Sequence, residues 1–325
     1  MLRIFHDTHY DFIRWWKVAV GLTIAFILLG IGSLALRGVN YSIEFTGGTL
    51  TQVEFRGTPP SAGQVRSALD AAGFRDAEIQ QFGSPRDFTL RVRGAGEVAR
   101  QATGAEVVAR SVDSILTARF RSASPTVVRT EAIGPRVGSE LRRNALIAIL
   151  VSFLITLVYL AIRFEWRFGL AAVIATGHDV LTTLAFLKLM HLEVSLTVVA
   201  ALLTVIGYSL NDTIIIFDRV REDLRKQRKE AFRDTVNRAI NETLPRSVLT
   251  HVTTLTATLA LLIFAGEVIR PFSWIMAFGI FTGTFSSIYV AGALLIWIEA
   301  KWPPAVEGRG GAAAAQTARR RQAAP

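Results

Sequence analysis

Hydrophobic residues in this chain are gathered into six long blocks that are separated by polar stretches. The blocks cover residues 16–36, 144–163, 168–190, 194–217, 247–265 and 272–298. A helix needs about 20 apolar residues to cross a hydrocarbon core of ~30 Å, and each block is close to or beyond that length. The pattern predicts an α-helical polytopic membrane protein with six spanning segments.

The first block could be mistaken for a signal peptide, because Arg14 and Lys17 precede it. It is longer than the apolar region of a signal peptide, and it ends at residues 36–38 without a small-residue cleavage site. We therefore expect residues 16–36 to be retained as the first span.

In residues 37–140, between the first two blocks, hydrophobic residues recur at other spacings. Phe88, Leu90 and Val92 alternate with polar residues, as in a half-buried strand, whereas Val108 and Val112 recur at helical spacing. The predicted elements are strand 49–56, helix 61–73, strand 77–82, strand 87–93, helix 97–120 and strand 125–133. This order is that of a ferredoxin-like β-α-β-β-α-β unit, an α+β domain.

Two further polar segments lie outside the blocks. Residues 218–246 are basic with a thin apolar stripe, which fits either a short interfacial helix or a solvated cytoplasmic helix. Residues 299–325 become rich in Gly, Ala and Arg without periodicity, so we expect a disordered tail.

The distribution of charge predicts the orientation. Basic residues cluster in residues 1–15, at 163–167, in 218–246 and after the sixth block, all on one side of the predicted bundle. The positive-inside rule makes that side cytoplasmic, so both termini are expected inside and residues 37–140 outside. The formal net charge of +10 has this topological explanation, and we do not predict nucleic-acid binding. The absence of cysteine excludes a disulfide framework and any cysteine-ligated metal, and we predict no metal site.

Five ionisable residues lie within or at the edge of the predicted spans: His178, Asp179, Asp212, Arg246 and His251. Counting from the loops places Asp179 roughly 16 Å deep and Asp212 roughly 8 Å from the inner end of its span. His251 follows Arg246 by about one turn, at a comparable level. Depth therefore permits Asp212, Arg246 and His251 to meet.

Ionisable groups inside a membrane are costly and indicate function by default. Burial favours the neutral form of a carboxyl and a nearby guanidinium favours its charged form, so Asp212 beside Arg246 could bind and release a proton. Structural roles remain open: Asp212 could bond to Thr253, Thr254 or Ser209, and Arg246 could snorkel to the surface.

The other polar positions likewise fit either a structural role or a role in proton transfer. His178 with Asp179 fits either a hydrogen-bonded structural pair or a proton relay, and His251 fits either a packed polar residue or a relay. Gly279 and Gly283 indicate a surface for close helix packing.

Several motifs occur together in a fixed order. They are residues 41–49 (YSIEFTGGT), 134–138 (GPRVG), 178–180 (HDV), 207–213 (GYSLNDT), 217–222 (FDRVRE) and 241–246 (NETLPR). This combination, over roughly residues 10–300, resembles the SecF family, membrane subunits of the bacterial Sec protein-export machinery within the resistance-nodulation-division superfamily.

The resemblance implies six helices that form half of a pseudo-dimer with SecD in the bacterial inner membrane. It implies that the pair uses the proton-motive force to complete preprotein translocation through SecYEG, with protons as the coupling ion and no cofactor. Further implied partners are YidC, YajC and membrane lipids.

The resemblance also assigns residues. The proton-coupling positions of the family map onto Asp212 and Arg246, and the family motifs include Gly47, Gly48, Asn211 and Thr213. Two positions depart from the family pattern: Glu44 stands where Asp is usual, and His251 where a small hydroxyl residue is usual. We expect His251 to modify the proton path.

Other functions remain as alternatives to this non-enzymatic coupling subunit. They are half of a pump for lipids or small molecules, and an assembly scaffold without a proton role. An intramembrane aspartyl protease would use Asp179 and Asp212 as its pair, but the Tyr and Gly-x-Gly that precede the carboxylates of such enzymes are missing.

Overall fold

The computed structural model describes residues 8–74, 77–82, 84–92, 105–133, 135–226, 230–266 and 268–303. In chain order the elements are α1 (Trp16–Arg37), α2 (Ile43–Thr46), β1 (Gly48–Phe55), α3 (Ala62–Ala71), β2 (Glu78–Phe82), β3 (Ser84–Val92), α4 (Ala105–Arg119), β4 (Pro125–Ile133), α5 (Pro135–Arg163), α6 (Trp166–Leu189), α7 (Leu196–Lys226), α8 (Phe232–Phe264), α9 (Arg270–Ser286) and α10 (Gly292–Lys301). A π-helical turn, Ser287–Ala291, joins α9 to α10 into one rod.

Six helical rods in the described ranges are long and apolar enough to cross a membrane: α1, α5, α6, α7, α8 and the α9–α10 rod. In α6, α7 and the α9–α10 rod, half or more of the residues in the most apolar stretch are buried. In α1, α5 and α8, most residues of the corresponding stretch are uncovered. Leu28, Leu150, Ile155 and Leu249 are among the exposed side chains of the outer helices. Such surfaces need a hydrocarbon environment, so the chain is a membrane protein.

The α+β domain between α1 and α5, which the sequence predicts to be extracytoplasmic and which is called the external domain, is a four-stranded antiparallel sheet in the order β2-β3-β1-β4, covered by α3 and α4. Alternate residues of β1 point into the core, where Val53 and Phe55 are fully buried beside Phe88. Helix α3 begins at a capping box, in which Gln64 N donates to Ser61 Oγ at 3.3 Å and Ser61 N donates to Gln64 Oε1 at 2.9 Å. The predicted fold class, six spans with a ferredoxin-like domain, is confirmed.

Some boundaries differ from those expected. Residues 97–104, the first part of a predicted helix, lie outside the described residues, as do residues 1–7 and 304–325. Residues 299–301 belong to α10 and not to the predicted disordered tail, because Glu299 accepts a hydrogen bond from Arg167 at 2.8 Å and keeps the last turn packed.

The segment 218–246 also differs from the prediction of a separate helix. Helix α7 continues to Lys226 and α8 begins at Phe232, so most of the segment extends two spanning helices beyond the apolar region. Ion pairs join the two extensions: Arg219 to Glu242, and Arg238 to Asp223 at 3.2 Å. These pairs stabilise a helical hairpin where hydrophobic periodicity is too weak to predict one.

Glycines bring α9 close to α7. A Cβ atom on Gly279 would lie 2.3 Å from Val205 Cγ2, and one on Gly283 would lie 3.3 Å from Ser209 Cα. Backbones can approach this closely only where side chains are absent. The predicted packing role of the two glycines is present in the structure, and it fixes the position of Ser209.

Gly47 and Gly48 form the turn between α2 and β1. Their φ angles are +72° and +127°, a region that other residues rarely adopt. A Cβ on Gly138, at the start of α5, would lie 2.9 Å from Gly47 N. The glycine pair therefore serves backbone geometry at the junction of the domain and the helix bundle.

Candidate proton-exchange site in the helix bundle

Two polar clusters lie inside the bundle, and both involve α7. Ser209 and Asp212 are three residues apart on that helix and are 2% and 1% exposed. Ser209 contacts Asp179 on α6, while Asp212 contacts His251 on α8. One turn of α7 thus connects two carboxylates that have different neighbours.

The first cluster is fully paired at its carboxylate. Asp179 Oδ1 lies 2.9 Å from His178 Nδ1, and Asp179 Oδ2 accepts a hydrogen bond from Ser209 Oγ. Thr183 Oγ1 donates to the backbone oxygen of Asp179 at 2.7 Å and steadies the helix turn. His178 Nε2 is buried and has no hydrogen-bond partner among the described residues.

The second cluster is only partly paired. His251 Nδ1 lies 3.3 Å from Asp212 Oδ2 but only 2.6 Å from the backbone oxygen of Ser247. Because a carbonyl oxygen can only accept, His251 Nδ1 carries a hydrogen, and a neutral ring presents a lone pair at Nε2.

Three buried atoms of this second cluster lack hydrogen-bond partners within the described part of the chain. They are Asp212 Oδ2, Ser247 Oγ and His251 Nε2. A buried polar atom without a partner is unfavourable by about 1–3 kcal/mol, and more when it is charged. The site is therefore suited to receive a proton, a water molecule or a polar group from another chain.

The residues considered as structural partners of Asp212 have other bonds. Ser209 donates to Asp179, Thr253 Oγ1 to Leu249 O at 3.0 Å, and Thr254 Oγ1 to Thr250 O at 2.9 Å. Their hydroxyl groups are satisfied without Asp212, and the hydroxyl that interacts with this carboxylate is that of Ser247.

Tyr208 and Ser247 belong to the site but were not identified from the sequence. Tyr208 Oη lies 3.0 Å from Thr254 Oγ1, and its ring packs edge-on against the His251 ring with centroids 5.2 Å apart. Ser247 precedes His251 by four residues, which places both on the face of α8 that meets α7. This four-residue spacing is the feature of the sequence from which Ser247 could have been identified.

Arg246 does not join the contact between Asp212 and His251. Its side chain is exposed and forms no ion pair among the described residues, although it lies within electrostatic range of Asp212. Of the three residues that depth allowed to meet, the structure brings two together.

The remaining motif positions fall in different places. Thr213 is buried beside Asp212, whereas Asn211 is exposed on the adjacent, uncovered side of α7. Gly47 and Gly48 lie in the turn between α2 and β1. Among the described residues, no group of three or more His, Asp or Glu side chains could hold a metal ion.

Comparisons with known proteins identify the family. The family model described as protein export membrane protein SecD/SecF, C-terminal, matches residues 111–301, and the SecD/SecF GG motif matches residues 32–59. The chain is 61% identical to protein translocase subunit SecF of Gemmatimonas aurantiaca, with 98% of both chains covered. It is 42% identical to the Vibrio alginolyticus subunit of the same name, over 92% of this chain and 94% of that one.

A solved structure agrees with these matches. The crystal structure of SecDF, a translocon-associated membrane protein from Thermus thermophilus, matches with a TM-score of 0.80 and 36% identity. The match covers 92% of this chain but 40% of that longer chain. The chain belongs to the SecF family of protein export membrane proteins.

Proposed function

We propose that this chain works with SecD to couple the proton-motive force to preprotein translocation through the Sec channel. The observation that carries the proposal is Asp212, a buried carboxylate within a spanning helix, whose Oδ2 lies 3.3 Å from His251 Nδ1 and forms no hydrogen bond among the described residues. The chain acts as a non-enzymatic subunit, with protons as the coupling ion and no cofactor.

Asp212 and His251 supply the proton-exchange chemistry. Asp212 holds the proton during one part of the cycle, and the free Nε2 of His251 accepts it or passes it on after a rotation of the ring. Moving one charge across 100 mV releases about 2.3 kcal/mol, which is enough to bias a conformational equilibrium.

Arg246 acts on this site through its charge. Its guanidinium favours the ionised form of Asp212 when the two approach, and it lies directly after Pro245, where the helix lacks one backbone hydrogen bond. A local bend of α8 at this point would change the distance between the two groups.

Asp179, His178 and Ser209 form the candidate second relay. Ser209 lies one turn from Asp212 on the same helix, so a shift of α7 changes the surroundings of both carboxylates together. The different neighbours of Asp179 and Asp212 do not support a protease, whose two carboxylates share one proton.

An uncovered stripe on α7 supports a membrane partner. Ala200, Thr204, Gly207 and Asn211 are exposed along one side of the helix, inside the apolar region. A lipid-exposed amide is unfavourable, while small residues allow close approach of another helix. We assign this face to SecD.

The resemblance to the SecF family supports the remaining proposed partners and the proposed location. The partners are SecYEG, YidC, YajC, the translocating preprotein and membrane lipids. The location is the bacterial inner membrane, with both termini of this chain in the cytoplasm.

The test is preprotein translocation into vesicles that contain SecYEG, SecD and this chain, with a proton gradient imposed after ATP is exhausted. Asp212→Asn should reduce gradient-dependent completion on the order of a hundredfold, the effect expected when a proton-transfer group is lost. Arg246→Met should reduce it as well. Asp218→Asn is the matched control, because Asp218 lies on the same helix beyond the apolar region and pairs with Arg163 at 2.5 Å.

Normal gradient-dependent completion by an assembled Asp212→Asn complex would contradict the proposal. It would favour the assembly scaffold, because a scaffold needs the helix and not its proton.

A further inference from the structure

The external domain is bonded to the turn between α6 and α7 through backbone groups. Val194 N donates to Asn40 O at 2.8 Å, and Ser42 N donates to Val194 O at 3.0 Å, which makes a parallel bridge between Tyr41 and Val194. These bonds fix the turn to the segment that leads into β1.

A buried arginine makes a second connection. Arg91, on β3, is 4% exposed and lies between Glu78 of β2, at 3.0 Å, and Glu193 of the turn. A buried guanidinium is stable only when it is paired, and either carboxylate can pair Arg91, but only Glu193 connects it to the turn. Arg91 therefore joins the sheet of the domain to the turn in front of α7.

A third connection reaches α7 itself. Glu44 Oε2 accepts a hydrogen bond from Leu196 N at 2.5 Å, and Ser42 Oγ donates to the same oxygen at 3.3 Å. Leu196 is the first residue of α7, and its N–H has no acceptor within the helix. The negative charge of Glu44 at this positive helix end adds an electrostatic contribution.

These contacts link the candidate proton site to the centre of the domain. Leu196 and Asp212 are sixteen residues apart on one continuous helix, about 24 Å along its axis. Glu44 lies just before the glycine turn into β1, and Arg91 lies on β3; these are the two inner strands of the sheet. An axial shift of α7 would thus pull directly on both inner strands.

We infer that Glu44 and the Arg91–Glu193 pair are positioning residues that transmit movements of α7 to the external domain. This inference rests on the proposed function, which supplies the movement. The joint, defined as residues 40–44, Arg91 and residues 193–196, moves as one body with the outer end of α7. Protons taken up at Asp212 therefore displace the external domain on the export side.

The test separates proton uptake from the work that it drives. Glu44→Ala and Glu193→Ala are made singly and together in the full complex in vesicles. Glu78→Ala is the matched control, because Glu78 also pairs with Arg91 but lies within the domain. Proton uptake, gradient-dependent completion of translocation, and the distance between spin labels are measured.

The labels are placed on exposed Ser67 of α3 and exposed Leu184 of α6, which is practical because the chain contains no cysteine. We expect the Glu44 and Glu193 variants to broaden the label distances and to keep proton uptake. Completion should fall by roughly two- to thirtyfold, the range of coupling energies measured along such networks. Glu78→Ala should leave all three quantities near the wild-type values.

Unchanged label distances, or broadened distances with wild-type completion, would overturn the inference while leaving proton coupling intact. A wild-type complex that takes up no protons would overturn the proposed function, and transmission with it. The label measurement distinguishes the two failures, because it reports on the joint without requiring proton movement.

Discussion

At the residue scale, Asp179 and Asp212 differ in how their oxygens are used. Both oxygens of Asp179 form hydrogen bonds, whereas Asp212 Oδ2 lies 3.3 Å from His251 Nδ1 and forms no hydrogen bond in the described part of the chain. A fully paired carboxylate is held in one state, and an incompletely paired one responds to a new proton or neighbour. This difference assigns exchange to Asp212 and makes Asp179 a secondary candidate.

His251→Asn tests the histidine. Asn retains a donor for the backbone oxygen of Ser247 but has no basic nitrogen, so the variant should assemble normally. Gradient-dependent completion should fall on the order of a hundredfold, since a proton-transfer group is lost. The rate is measured in vesicles beside His9→Asn, a change at an exposed histidine outside the bundle. Equal rates for both variants would reduce His251 to a packing role.

Several of these residues could be predicted from the sequence, because intramembrane charge is rare. Asp212 and His251 were found in this way and are in contact. Counting from predicted helix ends also placed Asp179 deeper in the membrane than Asp212. The structure agrees, because Asp179 is bonded to Ser209, which lies one turn before Asp212 on α7. Arg246 could not be placed, because helix rotation decides which side chains face a neighbour and depth does not.

At the scale of elements, α7 depends on close packing by α9. Gly279 leaves room for Val205, and Gly283 leaves room for Ser209. The absence of side chains at these two glycines therefore sets the position and rotation of α7 at the candidate site. Val205 and Ser209 lie one turn apart on the buried face of α7. A larger residue on α9 would therefore displace both the hydrophobic contact and the polar one.

Gly279→Val should destabilise the bundle by about 1–3 kcal/mol, the usual effect of overpacking. The measurement is the unfolding midpoint in detergent. The double change Gly279→Ala with Val205→Ala should recover stability relative to Gly279→Ala alone, because the clash lies between these two side chains. Gly177→Ala is the control, since nothing lies within 4 Å of its added Cβ. Additive effects in the double variant would show that the two positions are not in contact.

Hydrophobic blocks predict the spans well but not the ends of the helices. The apolar run of the fourth span stops at Phe217, yet α7 continues to Lys226 because ion pairs such as Arg219–Glu242 stabilise it outside the membrane. Such pairing between two helices depends on tertiary structure. Single-helix periodicity does not contain that information.

At the scale of the whole molecule, the bundle is incomplete on one side. The exposed side of α7 includes Gly207 and Asn211, directly next to the buried side that holds Asp212. A helix of SecD on this face would cover the amide and bring further groups to the unpartnered atoms of the site. The proton path would then be completed only in the assembled complex.

Gly207→Leu tests this face. Among the described residues, no atom outside the adjacent turns of α7 lies within 4 Å of a Cβ at Gly207, so the subunit should fold normally, whereas a close helix partner would be excluded. We expect co-purification with SecD to be largely lost. Gly21→Leu, on α1, is the control because its Cβ position is also open in this chain. Wild-type recovery of SecD with Gly207→Leu would place the partner elsewhere.

The ferredoxin-like order of the external domain could be predicted because alternation and helical periodicity are strong there. The contacts of Glu44 and Arg91 with the α6–α7 turn could not, because they join segments about 100 to 150 residues apart. Only the folded chain brings these polar groups together.

The most direct test of proton exchange at Asp212 is infrared difference spectroscopy of the complex in vesicles as the proton gradient is applied. Asp212 should produce a change in the carbonyl stretch of a protonated carboxyl group. This signal should disappear in Asp212→Asn and persist in Asp218→Asn and Asp179→Asn. A signal that persists in Asp212→Asn, or a wild-type complex without any carboxyl signal during gradient-driven export, would contradict the account.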